Sequence, residues 1–299
     1  MLDLSNVQRT NSNLPYLAFW CDEFLPDPVD QALKSDFPDA LMLSRLGNRL
    51  AINVDLCDGS PEVRDFLSSS AIWREYLLAW SSADQVRHLR DVFKVEIQRR
   101  YVSPWRLILG WRSLRLDRLE VTVLLSVYRR GFQLAPHTDD KYKLVSLIHY
   151  LPLASATSGS SGGTNFYAPT LGTSRIHLRQ FSEWSRGLRK YLPLCFAPVI
   201  EASLSRRYFD NENLDERERQ RFDQRFTRAL NVQYAPNRVV GFIKNDWSMH
   251  EVDLSEFPQN ELRRAVLINV RIPPSRVGKF IAKFEILGSR LKGLFLRKA

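Results

Sequence analysis

The segment that decides the predicted fold is Tyr128-Arg-Arg-Gly-Phe-Gln-Leu-Ala-Pro-His137-Thr-Asp139. A histidine and a carboxylate stand two residues apart, and a long apolar run begins soon afterwards at Leu144. On an extended strand, side chains two residues apart point to the same side. His137 and Asp139 are therefore predicted to offer one imidazole nitrogen and one carboxylate oxygen to the same metal ion.

A third ligand would complete a set of two histidines and one carboxylate, which leaves open positions on a ferrous ion. The chain has five histidines. His250 is the strongest candidate because an arginine pair and a second β-rich run follow it. His149 lies on an apolar strand and is predicted to be structural, whereas His88 and His177 lie in charged helical surroundings without other ligand residues.

The flanking segments predict a mainly β core preceded by helices. Residues rich in β-formers run through 121–128, 144–151, 231–243 and 264–271, and Pro273-Pro274 ends the last run. Apolar residues at helical spacing predict helices from 61, over 72–80 and over 84–101. We expect the helices of residues 1–118 to support the core of residues 119–274 from outside.

Two further segments complete a single predicted domain over residues 1–299. Residues of about 170–230 are charged and largely helical in pattern, and their apolar content is too thin for a separate core. This insertion is a candidate lid, substrate wall or dimer contact, the last of which would make a homodimer. Residues 275–299 form a basic amphipathic pattern, which suits packing against the core more often than binding an acidic membrane surface.

Composition and charge narrow the classes of partner. The 299 residues are 44% hydrophobic and 25% charged, which is ordinary for a globular protein. No apolar run reaches the length of a membrane span, the N-terminus lacks a secretion signal, and three scattered cysteines suggest no disulfide framework, so a cytoplasmic location is expected. The net charge of +10 includes 33 acidic residues and comes with no nucleic-acid-binding motif, so an anionic small substrate is favoured over nucleic acid.

Four features from Leu125 to Pro274 together resemble the iron(II) and 2-oxoglutarate-dependent dioxygenases, particularly their prolyl-4-hydroxylase-like branch. In the family's order they are Tyr128…Gly131…His137-x-Asp139; the strand 143–152 with Tyr150; Gly162-Gly163-Thr-Asn-Phe166; and His250 followed by Arg263-Arg264-Ala-Val-Leu-Ile-Asn-Val. The resemblance implies a double-stranded β-helix, also called a jelly roll or cupin-like fold. It also implies Fe(II), 2-oxoglutarate and dioxygen as cofactor and co-substrates.

The same resemblance assigns roles to individual residues. His137, Asp139 and His250 correspond to the iron ligands. Tyr150 corresponds to a tyrosine that helps to bind the distal carboxylate of 2-oxoglutarate, and Tyr128 to one near the metal end of that co-substrate. Because Asp139 is a carboxylate where halogenating relatives carry a small residue, hydroxylation or another oxidation is the expected reaction.

Arg263 and Arg264 both stand where the family places the arginine that binds the 2-oxoglutarate carboxylate. Adjacent strand residues cannot both face inward. With Arg263 inward, Ala265 shares its face and an apolar outer face remains for the helices. With Arg264 inward, Arg263 becomes a surface charge. The small residue two places later favours Arg263, although the spacing from His250 is slightly long for this branch under either choice.

The sequence therefore predicts an oxygenase that hydroxylates a C–H bond of a small-molecule or carrier-linked substrate and releases succinate and CO2. Lys143, Asn245 and Trp247 are candidates for the substrate side. Two alternatives remain open on the sequence. One is a nucleic-acid demethylase like the AlkB relatives, suggested by the arginines that bound the last strand. The other is a jelly-roll binding module that keeps its metal residues for structure.

Overall fold

The computed structural model describes residues 7–9, 14–38, 44–46, 49–53, 61–95, 119–139, 143–152, 162–170, 216–244 and 248–271. The chain divides into two compact units. The described residues 169–170 and 216–226 belong to the second unit, and all other described residues belong to the first. Apart from the terminal residues Pro169 and Phe226, both sheets belong to the first unit.

The described residues contain twelve strands and five helices. The helices are α1 (Asp27–Ser35), α2 (Pro61–Ser69), α3 (Ala71–Ser81), α4 (Ala83–Val92) and α5 (Glu216–Asp223). The strands are β1 (Gln8–Arg9), β2 (Ala18–Cys21), β3 (Ser44–Leu46), β4 (Arg49–Asn53), β5 (Glu120–Tyr128), β6 (Gln133–His137), β7 (Lys143–Tyr150), β8 (Thr164–Pro169), β9 (Phe226–Val232), β10 (Arg238–Ile243), β11 (His250–Asp253) and β12 (Arg263–Arg271).

The strands form two sheets, in which every recorded strand pairing is antiparallel. The large sheet has the order β1-β2-β10-β7-β12-β5-β4-β3, and the small sheet has the order β6-β11-β8-β9. From β5 onward the chain passes between the sheets at every step except β8 to β9, which both lie in the small sheet. Strands distant in sequence therefore become neighbours, as where β12 pairs with both β5 and β7.

The large sheet has a different apolar cluster on each face. The helix-side core contains Leu33, Trp73, Leu77, Trp80 and Leu89 of the helices with Val123, Leu125, Leu147, Val239, Val266 and Ile268 of the sheet. The inner core contains Tyr128, Ile148, Tyr150, Phe242 and Ala265 of the large sheet with Phe166, Val232 and Val252 of the small sheet. Alternation along each strand supplies both clusters from the same segments.

One glycine shows how closely the helix-side face is packed. A Cβ added at Gly241 on β10 would collide with the ring of Phe19 and with the Leu147 side chain. A larger residue would force these two buried groups apart. The absence of a side chain at this position therefore lets the Phe19 and Leu147 side chains, from the flanking strands β2 and β7, pack over β10.

The prediction of a mainly β fold with N-terminal helices is confirmed, but its details change in two places. Residues 1–118 contribute β1 to β4 to the large sheet in addition to helices. These strands are too short for their alternation to be recognised in the sequence. The third predicted helix is interrupted at Phe93, whose N–H bonds to the Leu89 carbonyl. Lys94 and Val95 are helical again, and residues 96–101 lie outside the described part of the chain.

The predicted insertion ends earlier than expected. The prediction of helix after Asp215 agrees with α5, but β9 begins at Phe226, so the insertion closes at about residue 225 instead of 230. Arg228, in the segment Thr227-Arg-Ala-Leu230, interrupts the pattern of β-forming residues, so the sequence does not show the start of this strand. Residues 171–215 and the predicted C-terminal helix of 275–299 lie outside the described residues. No helix in the described ranges is long and apolar enough to cross a membrane.

Candidate metal centre and anion pocket

Strand pairing brings the two candidate histidine ligands together. His137 ends β6, His250 begins β11, and the two residues are direct partners in the antiparallel ladder of the small sheet. Their ring centroids lie 4.3 Å apart. The register of this one strand pair therefore creates the histidine part of the site.

The hydrogen bonds of both rings leave the same nitrogen available for a metal. His137 Nδ1 donates to the Ala135 carbonyl at 2.8 Å, and His250 Nδ1 donates to the Ser248 carbonyl at 3.0 Å. A carbonyl oxygen only accepts, so the proton lies on Nδ1 and the lone pair on Nε2. Burial lowers the pKa of His137, and burial together with the repulsion that a protonated His137 would exert lowers that of His250 to about 3. Both rings are therefore neutral and suited to coordination at neutral pH.

Asp139 supplies the carboxylate directly after β6. Burial alone would raise the pKa of Asp139, but Lys143, through its charge and its hydrogen bond, and the two neighbouring histidines together outweigh burial and hold the pKa below its ordinary value. The carboxylate accepts from Lys143 Nζ at 2.7 Å and from Ser146 Oγ at 2.5 Å. One ligand atom from each of His137, Asp139 and His250 lies within 4.8 Å of the others.

This donor set fits ferrous iron. Two imidazole nitrogens and one carboxylate oxygen that converge from one side match the facial arrangement and leave other coordination positions for small ligands. The fit rests on the Nε2 lone pairs and on an ionised Asp139. Among the residues that the structure describes, this is the group of histidine, cysteine and acidic side chains close enough to hold an ion.

Apolar rings surround the candidate centre. The rings of Phe242 and Phe166 lie 4.3 Å and 6.5 Å from that of His250, centroid to centroid, and both belong to the inner core. Phe166 is the ladder partner of His250 on β8. This wall limits access of water and strengthens electrostatic interactions at the centre.

Arg263 is a buried cation in an aromatic pocket. Its side chain is 1% exposed, and its guanidinium carbon lies 5.1 to 5.7 Å from the ring centroids of Tyr150, Tyr128 and Tyr234. Its Nε donates to the Gly162 carbonyl at 2.5 Å, which glycine presents with a φ of 87°. Its Nη2 is buried without a hydrogen-bond partner among the described residues. A buried charge is ordinarily paired, so this pocket is suited to an anion.

Arg264 points to the opposite face of β12. Its side chain is partly buried and its guanidinium carbon lies 5.1 Å over the ring of Phe37, a member of the helix-side core. Val266 and Ile268 follow it on that same face. Of the two arginines left open by the sequence, the structure places Arg263 in the inner pocket, with Ala265 next to it as expected.

The two predicted tyrosines line the Arg263 pocket, and a third was missed. Tyr150 is hydrogen-bonded to Thr164 Oγ1 at 2.6 Å, and Tyr128 packs on Phe132 at 4.6 Å between ring centroids. Tyr234 was not predicted. It accepts from the Arg264 N–H at 2.9 Å and donates to the Arg264 carbonyl at 3.2 Å. Its only sequence signal is its place just before the Pro236 turn.

Three of the remaining predicted residues, His149, His88 and Lys143, lie in the part of the chain that the structure describes. His149 lies on the helix side with its Nδ1 2.9 Å from the Tyr76 hydroxyl, consistent with a structural role. His88 lies on α4, away from any candidate ligand group. Lys143 pairs with Asp139. His177, Asn245 and Trp247 lie outside the described residues.

A separate cleft of about 310 Å³ adjoins the glycine pair. None of its lining residues is a candidate metal ligand, so the cleft is distinct from the metal centre. Gly162 connects the cleft with the Arg263 pocket, because its carbonyl accepts a hydrogen bond from Arg263. The lining residues are Gly162, Gly163, Asn165, Arg228, Asn231, Asp253, Ser255 and Glu256.

The chain is similar in structure to three solved proteins. A Pseudomonas putida prolyl-4-hydroxylase is 12% identical with a TM-score of 0.39, over 85% of this chain and 92% of that chain. A Trichoplax adhaerens prolyl hydroxylase, solved with a fragment of the hypoxia inducible factor oxygen degradation domain, is 11% identical with a TM-score of 0.37, over 85% and 83%. The non-heme alpha ketoglutarate dependent carbocyclase SnoK from nogalamycin biosynthesis is 9% identical with a TM-score of 0.39, over 85% and 79%.

No protein-family model matches the sequence, and no curated protein matches it either. A functional assignment therefore rests on the geometry of the metal centre and of the Arg263 pocket.

Proposed function

We propose that the protein is an Fe(II)- and 2-oxoglutarate-dependent oxygenase that hydroxylates a C–H bond. The observation that carries the proposal is a pair of features in one inner core. His137, Asp139 and His250 converge with their ligand atoms available, and Arg263 is a buried cation with no carboxylate partner among the described residues. A metal site and an anion pocket whose walls belong to the same inner core are what a chelating dicarboxylate requires.

We also infer that the two sheets form a double-stranded β-helix. The alternation of β5 to β12 between the large and small sheets supports it, as does the inner core formed by residues of both sheets. In such a fold the ligands lie on the small sheet and the Arg263 pocket on the large sheet. The site therefore lies between the sheets, where side chains can enclose a small co-substrate.

Each residue of the chain has a distinct task in this proposal. His137 and His250 hold the iron through Nε2, and Asp139 holds it through one carboxylate oxygen. Arg263 and Tyr150 bind the distal carboxylate of 2-oxoglutarate, because a guanidinium and a hydroxyl both donate to it. Phe166 and Phe242 exclude water from the reacting groups.

When bound, iron and 2-oxoglutarate supply the oxidising power by activating dioxygen. One oxygen atom enters succinate as CO2 is lost from 2-oxoglutarate, and the other enters the substrate as a hydroxyl group. The substrate is proposed to be a small molecule or a carrier-linked intermediate, with an anionic one favoured by the net charge of +10. A cytoplasmic location remains a prediction from the sequence.

Succinate production tests the proposal directly. Protein loaded anaerobically with Fe(II) and then given 2-oxoglutarate and air should form succinate slowly even without its substrate. His137→Ala and Asp139→Ala should each reduce this at least about 100-fold, because each removes a metal ligand. Binding of 2-oxoglutarate in the presence of Mn(II), measured by calorimetry, should be lost in the same variants.

Three results would point elsewhere. Metal binding without 2-oxoglutarate binding or turnover would favour the binding module and overturn the oxygenase. Turnover stimulated by methylated DNA or RNA, with salt-sensitive binding, would favour the demethylase. If the protein bound neither metal nor 2-oxoglutarate, the proposed site would not exist.

A further inference from the structure

The two oxygens of the Asp139 carboxylate accept hydrogen bonds from two residues that differ in charge. Oδ2 accepts a hydrogen bond from Ser146 Oγ at 2.5 Å, and Oδ1 accepts from Lys143 Nζ at 2.7 Å. Ser146 is neutral, whereas Lys143 is a cation. Both residues lie on β7, so a strand of the large sheet acts on a ligand that follows β6 of the small sheet.

Ser146 is a fixed anchor. It is 5% exposed and lies in the middle of β7, with Phe242 of β10 and Asn269 of β12 as its ladder partners. A strand paired on both sides allows this hydroxyl little movement. A carboxylate bonded to it keeps one orientation, which presents its remaining lone pairs in a constant direction.

Lys143 is a movable counter-ion. It lies at the first position of β7, and its side chain is 22% exposed, so its four-carbon stem can carry the ammonium away from the carboxylate. A divalent cation held by Asp139 would lie close to this ammonium, and the two positive charges repel each other. The ammonium and the metal therefore compete for the same carboxylate.

We propose that Ser146 and Lys143 are positioning residues that set the metal affinity of the centre in opposite directions. Ser146 strengthens metal binding by fixing the orientation of Asp139. Lys143 weakens it by occupying the carboxylate, and it moves away from Oδ1 when metal binds. This inference rests on the proposed function for the identity of the site, but metal binding alone tests it.

Calorimetric titration with Mn(II) tests the affinities. Ser146→Ala should weaken Mn(II) binding about 10- to 100-fold, as loss of a group that orients a ligand typically does. Ser146→Thr, which keeps the hydroxyl, should bind close to wild type. Lys143→Met should tighten binding about tenfold because it removes a cation beside the site, whereas Lys143→Arg should not. Equal affinities of wild type, Ser146→Ala and Lys143→Met would overturn the proposal.

Chemical labelling tests the movement of Lys143 in the wild-type protein. With an amine-reactive acetylating reagent and mass spectrometry, acetylation of Lys143 should increase when Mn(II) is added. Lys34 is the matched internal control, because it forms the same i,i+4 ion pair with Asp30 at 2.5 Å and is 6% exposed, yet lies on α1 in the helix layer. Its acetylation should not change. Unchanged or reduced acetylation of Lys143 would overturn the displacement.

The outcomes separate this inference from the proposed function. If wild-type protein binds no Mn(II), both fail, because the centre itself is absent. If Mn(II) and 2-oxoglutarate bind but the Ser146 and Lys143 variants behave as wild type, this inference alone fails. If the variants shift Mn(II) affinity as expected but 2-oxoglutarate never binds, the positioning roles stand and the oxygenase does not.

Discussion

The two faces of the large sheet bury charged groups in different ways. In the helix layer, Lys34 is 6% exposed and is paired with Asp30 on the same helix. On the inner face, Arg263 is 1% exposed, and no carboxylate among the described residues pairs with it. A buried charge with its own counter-ion is a structural pair, whereas one without a counter-ion is suited to an anion from outside the chain.

The same strands supply both faces. On β7, His149 faces the helices and Tyr150 the inner core, and on β12, Arg264 and Arg263 divide in the same way. The helix side is filled by large apolar rings and aliphatic chains, which contribute stability. The inner side combines apolar walls with a few polar groups that lie close enough to bind a metal and an anion. Mutation of a residue on the helix side should therefore change mainly stability, and mutation of its neighbour on the inner side should change mainly binding.

Truncation on the helix side should have the largest effect on stability. Leu77→Ala should lower the free energy of unfolding by about 2–5 kcal/mol, because Leu77 is fully buried in the helix-side core. Leu78→Ala is the matched control on the same helix, where the side chain is 53% exposed, and its effect should stay within about 0.5 kcal/mol. Urea denaturation gives both values. Mn(II) affinity of folded Leu77→Ala should match wild type, and a loss there would show that the two faces are not independent.

A neighbouring pair of variants on β12 should separate binding from stability. Arg263→Met should weaken 2-oxoglutarate binding in the presence of Mn(II) about 100-fold or more, because the buried cation for its carboxylate is removed. Arg264→Met should change it less than about threefold, since this side chain lies over Phe37 on the other face. Calorimetry measures both, with Mn(II) affinity as the check that each variant remains folded. Equal losses in the two variants would contradict the inward assignment of Arg263.

The smallest expected effect is on the pH dependence of stability. Burial, with the charge of Lys34, lowers the pKa of His149 to about 3 in the folded protein, whereas an unfolded histidine titrates near about 6.5. As pH falls below about 6.5, the unfolded state takes up a proton that the folded state excludes, so the free energy of unfolding decreases by at most about 1.4 kcal/mol per pH unit from this group. Burial of His137 and His250 acts in the same direction.

His149→Asn removes this contribution while it keeps a polar group near the Tyr76 hydroxyl. Urea denaturation at several pH values from 7 to 5 should give a shallower slope for the variant than for wild type. A slope equal to that of wild type would show that His149 is protonated in the folded protein or already neutral in the unfolded one.

Local sequence patterns predicted whether most segments are helices or strands. The pairing of the strands, and the face to which each side chain points, came from the tertiary structure. The helical spacing of Val86 and Leu89 and the β-formers of 121–128 were enough to predict α4 and β5, because periodicity depends on near neighbours. The short strands β1 to β4 were missed. Their place is decided by pairing with β5 and β10, which lie far away in the sequence.

The residues of the candidate site also divide into those that the sequence predicted and those that only the tertiary structure revealed. The sequence alone determined a helical support, a mainly β core, the spacing of His137 and Asp139, and His250 as the strongest candidate for the third ligand. Alternation along β12 required one of Arg263 and Arg264 to face inward, but it could not say which, because a strand has two faces and only its neighbours decide which is inside. Packing of Val266 and Ile268 against the helices decided for Arg263. The contacts of Tyr234 with β12, and of Ser146 and Lys143 with Asp139, likewise depend on chain segments that only the fold brings together.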